Sequence, residues 1–151
     1  MIKIICVGKL KEKFLKEACE EYIKRLGKYT KIEVIEVMDS TIDDEVIALE
    51  KEKDLILKYI KERDYLITLE IEGENLTSVD FASKIDKIML NNSSIVFVVG
   101  GSHGIHKEIK EKSNFKLSFS KMTFPHQLFR VMLLEQLFRV YKILNNEKYH
   151  K

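Results

Sequence analysis

Three of the chain's six glycines fall within five residues, Gly100-Gly101-Ser102-His103-Gly104, directly after the apolar run Ile95-Val96-Phe97-Val98-Val99. Glycine leaves the backbone N–H groups bare and lets a ligand approach the main chain. An open α/β sheet binds its nucleotide or nucleoside cofactor where a buried strand empties into such a loop; a tight structural turn is the competing reading. No G-x-G-x-x-G follows the first strand, where Gly8 stands alone, and no Walker A sequence occurs. The pattern therefore argues against an ordinary dinucleotide-binding dehydrogenase and against a P-loop enzyme.

A second set of chemistry-bearing residues lies between Pro125 and Leu144. His126, Arg130, Glu135, Gln136, Arg139 and Lys142 interrupt a segment otherwise dominated by Leu, Phe, Val, Met, Ile and Tyr. At about 100° per residue the apolar positions cover nearly the whole helical circumference. Such a helix is either the centre of the core or offers its surplus face to a second copy of the chain. Glu135, Gln136, Arg139 and Lys142 share roughly 120° of the wheel, whereas Arg130 points the other way, in line with Leu134, Leu137 and Tyr141, with His126 close to the same side. A cation on an apolar face has an anion to meet: an internal carboxylate, or a ligand phosphate or carboxylate. Pro125 in the first turn leaves free N–H groups beside the preceding loop, Ser118–Phe124. The chain ends Tyr149-His150-Lys151, either a plain tail or a group that stacks on a base and contacts phosphate. His103 and His106 form H-x-x-H with Glu108 nearby, but no further ligand cluster accompanies them, so no metal is expected.

These residues must be positioned by alternating strands and helices. Strands are expected at Ile2–Val7, Ile32–Met38 (near an edge), Tyr65–Ile71 (closed by Glu72-Gly73), Ile95–Val99 (central) and Phe115–Phe119. Helices are expected at Lys11–Leu26, Asp43–Lys61, from Thr77 to about Leu90, at Ile105–Lys112 and from Pro125 to about Leu144, with Thr77 as N-cap and Asp80 in the place of the capping-box Glu. The alternation predicts an α/β fold, a parallel sheet with helices on both faces.

At 151 residues the chain is one domain. No apolar run exceeds six residues, so no membrane span is expected, and the first residues read as a strand and not as a leader peptide. Cys6 and Cys19 lack metal-ligand spacing and fit a reduced, cytoplasmic protein. Residues 1–31 carry nine Lys and Arg against four Asp and Glu, residues 32–104 seven against sixteen, and residues 105–151 ten against four. Both ends are thus basic, which suits a polyanionic partner near the glycine loop; solvated helix faces are the plainer reading.

Several stretches carry a family resemblance: Val98-Val99-Gly100-Gly101-Ser102-His103-Gly104, Leu117-Ser118-Phe119-Ser120-Lys121-Met122-Thr123-Phe124-Pro125-His126-Gln127, Arg130, Glu135-Gln136, Arg139, Tyr149-His150-Lys151 and the opening Val7-Gly8-Lys9-Leu10-Lys11. Together they resemble the ribosomal RNA large subunit methyltransferase H family of the SPOUT class, over essentially the whole chain as one domain, residues 1–151. The resemblance implies an α/β fold whose C-terminal segment threads a trefoil knot. It implies S-adenosylmethionine as cofactor, held by Leu69, Gly100, Phe119, Ser120, Lys121, Met122, Thr123 and Phe124. It also implies methylation of N3 of a pseudouridine in 23S ribosomal RNA, on assembled ribosomes, by a homodimer. On the same basis His126, Arg130, Arg139, Tyr149 and His150 are expected to bind RNA or catalyse: the arginines at phosphate or base oxygen, Tyr149 by stacking, and His126 or His150 as proton acceptor. The glycines would let the main chain press on the cofactor and let Phe119–Phe124 cross close by. The sequence departs from the family at His103, where a carboxylate or amide is common. Competing readings are a ribosome-associated RNA-binding protein with a vestigial pocket, an α/β enzyme acting on a small nucleotide, and a metal-dependent hydrolase using His103 and His106.

Overall fold

In strand β4 (Ile95–Val99), Ile95, Phe97 and Val99 face one apolar layer while Val96 and Val98 face another, and all five are buried. A strand covered on both faces belongs inside a parallel sheet. The computed structural model, which describes residues 1–150, places β4 at the centre of five parallel strands in the order β2-β1-β4-β3-β5. The others are β1 (Ile2–Val7), β2 (Ile32–Val37), β3 (Tyr65–Asn75) and β5 (Phe115–Ser118). Ile95 lies opposite both Ile2 and Tyr65, so β1, β3 and β4 start level. Lys151, the last residue of the C-terminal triplet, lies outside the described residues.

Helices α1 (Lys13–Leu26), α3 (Ser78–Asn91) and α5 (His126–Leu144) cover one face; α2 (Glu45–Leu57) and α4 (Lys107–Lys112) cover the other. The α5 side holds the larger core, where Leu133, Leu134, Leu137 and Phe138 meet Cys19, Leu26, Phe81 and Ile85. Thr77 caps α3 as its spacing predicts, accepting from the Asp80 N–H at 3.0 Å. On α2 the inward residues are Ala48, Glu52, Lys53 and Ile56, while Val46 points to solvent. Two charged residues therefore take core-facing positions on this helix.

β3 departs from expectation. It does not stop at Ile71 but runs on to Asn75, and its pairing with β5 shifts register between Leu69 and Glu74. Residues 70–73 form the resulting bulge, a device that re-aims side chains at a sheet end. A Cβ on Gly73 would stand 2.8 Å from the Lys116 and Leu117 main chain, so the crossing β5 backbone requires glycine there.

Candidate active site

The C-terminal ends of β3, β4 and β5 open into a cavity of about 260 Å³. One wall is the glycine loop after β4, and the other is the run between β5 and α5. Leu69, Gly100, Phe119, Ser120, Met122, Thr123 and Phe124 all line it, whereas Lys121 is exposed outside the lining. Residues 50 positions apart thus meet because parallel strands bring their C-terminal ends to one edge.

Local bonds shape the second wall. Asn75 Nδ2 donates to the Ser118 carbonyl at 2.9 Å, Ser118 Oγ to the Ser120 carbonyl at 3.1 Å, and the Met122 N–H to Ser120 Oγ at 3.0 Å. The Phe119 ring packs on Phe129 of α5 with centroids 4.8 Å apart. The first wall closes on itself. A Cβ on Gly100 would lie 2.6 Å from the Gly104 carbonyl oxygen and 2.9 Å from Ile105 Cγ1. The tightest crossing that Gly100 permits is therefore the loop's own return.

His126 lines the cavity from the first turn of α5. Its Nε2 and the Asp39 carboxylate both come within 3.9 Å of the point where a Cβ on Gly8 would sit. Arg130, one turn on, is 2% exposed. Its Nη1 donates to Glu36 Oε2 at 2.6 Å and its Nη2 to the Gly8 carbonyl at 3.0 Å. The anion that meets Arg130 is thus an internal carboxylate, and the guanidinium ties α5 to the ends of β1 and β2. Burial pushes the neighbouring Cys6 thiol up to about 12, with Arg130 pulling partly back, so this thiol is inert at neutral pH.

The remaining expected residues gather at the other end of α5. Asn146, in the left-handed region at φ 53°, ends the helix with paired bonds from its N–H to Ile143 and from Glu147 to Lys142. This Schellman turn folds the tail back on the helix. Arg139 then stacks over the Tyr149 ring at 4.8 Å, and its Nη1 lies 3.1 Å from His150 Nδ1. Glu135 Oε1 accepts from Arg139 Nη2 at 2.7 Å and from the Tyr149 hydroxyl at 3.3 Å. That hydrogen bond holds the Arg139 pKa up, and burial followed by the Glu135 charge raises the Tyr149 phenol. Lys142 belongs to a separate pair with Glu147, 2.9 Å away.

His106 is occupied structurally: its Nδ1 accepts from the Glu108 N–H, capping α4, and its Nε2 meets Glu50 Oε2 at 2.8 Å. Among the described residues no group of three or more His, Cys, Asp and Glu is arranged to hold a metal, and no helix is long and apolar enough to cross a membrane. Sequence reasoning missed Glu36, Asp39 and Glu70. Of these only Glu70 leaves a signal, a charge inside the run Leu66-Ile67-Thr68-Leu69-Glu70-Ile71.

A parallel sheet with a cavity at the C-terminal ends of three strands defines a class that comparison with known proteins identifies. The family model described as "Predicted SPOUT methyltransferase" matches residues 1–150. A solved structure, a probable methylase family protein from Haemophilus influenzae, shares the fold with a TM-score of 0.59 at 14% identity, covering 99% of this chain and 70% of that one. Proteins named ribosomal RNA large subunit methyltransferase H from Clostridium botulinum (strain Hall) and Clostridium tetani are 52% and 53% identical over 99% of both chains. The chain belongs to the ribosomal RNA large subunit methyltransferase H family of SPOUT methyltransferases.

Proposed function

We propose that the protein is an S-adenosylmethionine-dependent methyltransferase that modifies N3 of a pseudouridine in 23S ribosomal RNA, working in the cytoplasm on assembled ribosomes as a homodimer with a C-terminal trefoil knot. The observation that carries this reading is the single cavity where the glycine loop and the 119–124 run face each other, with His126 on its wall. The donor set suits the cofactor: Gly100 leaves main chain bare, while Leu69, Val99, Phe119 and Phe129 offer apolar and aromatic surface to a nucleobase. When bound, S-adenosylmethionine supplies a methyl group activated by its sulfonium.

The chain's own residues do the rest. The two loop walls hold the nucleoside and exclude water, so that the acceptor nitrogen is presented in line. His126, the histidine of the expected pair that lines the cavity, takes the N3 proton, a role worth roughly 10²–10⁴ in rate. Arg139 meets phosphate or base oxygen, Tyr149 stacks and His150, 3.1 Å from the Arg139 guanidinium, completes the RNA-facing group. Arg130 acts through position, fixing Gly8 and the start of α5. His126 and Arg139 are separated by about 20 Å along α5 at 1.5 Å per residue. One chain therefore cannot bring both to one nucleobase, and a second copy supplies Arg139, Tyr149 and His150. Met122, which lines the cavity, and Leu128 in the first turn of α5 are both exposed and offer it an apolar landing surface.

The test is transfer of labelled methyl from S-adenosylmethionine to assembled ribosomes, free large subunits and naked RNA, with the product nucleoside identified by mass. Transfer confined to ribosomes and to N3 of pseudouridine is expected. Labelling of naked RNA as strong as that of ribosomes would overturn the substrate reading. Failure to bind the cofactor would favour an RNA-binding protein with a vestigial pocket.

A further inference from the structure

We infer that Glu70 recognises the ribose of the nucleoside held in the cavity, its carboxylate accepting hydrogen bonds from the vicinal 2′ and 3′ hydroxyls; this rests on the cofactor reading above. Glu70 follows Leu69 at the start of the β3 bulge and lines the cavity. Its side chain is 6% exposed. Burying a carboxylate that deeply is costly unless donors surround it, and an ionised carboxylate has room for about four. The fold supplies few. Thr68 Oγ1 donates to Oε2 at 2.5 Å, and Thr68, fully buried, is itself braced by Ser113 Oγ at 2.9 Å. Lys110 Nζ stands 3.6 Å from Oε1, an ion contact too long for a hydrogen bond. One carboxylate oxygen is thus clamped in orientation, and the other keeps its lone pairs for whatever fills the cavity.

Three groups of the cofactor carry donors: the ribose diol, the adenine amino group and the α-ammonium. The flat adenine suits the apolar wall of Leu69, Val99, Phe119 and Phe129, and Lys110 decides between the other two. It also lines the cavity, and its cation beside Glu70 repels a second ammonium at the same oxygen. A neutral diol binds there without displacing it. A carboxylate that accepts from a ribose hydroxyl is also a device that open α/β sheets use.

The experiment is calorimetric titration of the full-length protein and its Glu70→Gln variant with S-adenosylhomocysteine, 5′-methylthioadenosine and 2′,3′-dideoxy-5′-methylthioadenosine. Glu70→Gln is expected to weaken the two ribose-bearing ligands by a similar factor, roughly tenfold to a hundredfold, and to leave the dideoxy ligand unchanged. The unmodified protein should prefer methylthioadenosine over its dideoxy form by that same factor, a result that does not depend on the variant folding. Equal binding of those two by the unmodified protein would overturn the inference, as would a variant that loses only S-adenosylhomocysteine, which would assign Glu70 to the amino-acid end. If the unmodified protein bound none of the three, the cofactor reading itself would fall, and the inference with it.

Discussion

Arg130 and Glu36 make an unequal pair, and that inequality sets an order of stabilities. The arginine is 2% exposed while the Glu36 side chain is 36% exposed. Removing one partner of a buried ion pair costs about 3–5 kcal/mol, mostly the penalty of the charge left behind. Arg130→Met leaves a carboxylate that can rehydrate and that still accepts from the Leu10 N–H at 3.0 Å. The Gly8 carbonyl loses its donor, and the expected loss is at the low end, about 3 kcal/mol. Glu36→Ala strands a guanidinium that is buried far more deeply than its partner and keeps only the Gly8 carbonyl, so about 4–5 kcal/mol is expected. Glu36→Gln retains a neutral acceptor, and the loss falls to about 1–2 kcal/mol. Because the groups touch, the double variant Arg130→Met with Glu36→Gln should cost less than the sum of its singles by about 1 kcal/mol or more. Urea unfolding at one fixed protein concentration reads this directly; at about 2 kcal/mol per molar, 3 kcal/mol moves the midpoint by about 1.5 M. Additive singles, or a Glu36→Ala variant no less stable than Arg130→Met, would show that the guanidinium is not the stranded charge and refute the reasoning.

Other consequences are equally direct. Gly100→Ala drives a Cβ to 2.6 Å from the Gly104 carbonyl, so the loop must shift; cofactor affinity should fall at least tenfold with the fold retained by circular dichroism, and unchanged affinity would mean the loop does not contact the ligand. Burial raises the Glu52 pKa against a weaker lowering by the Ser40 N–H. The stability of the protonated form is therefore full below the ordinary carboxylate range, about 4.3, and is lost as pH rises through the raised value. Glu52→Gln should gain on the unmodified protein between acid and neutral pH, seen as diverging urea midpoints; parallel midpoints would contradict the burial effect. Arg139→Ala should bind cofactor normally yet transfer methyl to ribosomes at least tenfold more slowly, and undiminished turnover would remove Arg139 from the RNA-facing set.

Much of the fold is local and was legible. Apolar runs of strand length, Gly8 and Gly27 as stops, Thr77 as a cap and Pro125 before the last helix are one-dimensional signals of backbone preference. The glycine cluster after Ile95–Val99 marks a bare-backbone wall for the same reason, and the motifs around Ser118–His126 carry the family. The helical wheel put Arg130 on the Leu134–Tyr141 side, because angular position depends on sequence spacing alone. What the wheel could not supply is the anion: Glu36 lies 94 residues away.

Partnerships of that kind belong to the tertiary structure. The order β2-β1-β4-β3-β5 decides that the ends of β3, β4 and β5 share one cavity. Strand order is a choice among topologies that the same apolar runs would satisfy. The bulge at residues 70–73 exists because β5 pairs β3 in two registers, which no property of either strand announces. It turns Glu70 from a charge in an apolar run into a buried acceptor on the cavity wall. The Schellman turn at Asn146 likewise stacks the tail on Arg139, far along α5 from His126. The sequence by itself determined which elements form and which residues stand out as candidates, because those depend on neighbours in the chain. Which of those residues meet, and at which end of α5, was decided by long-range packing.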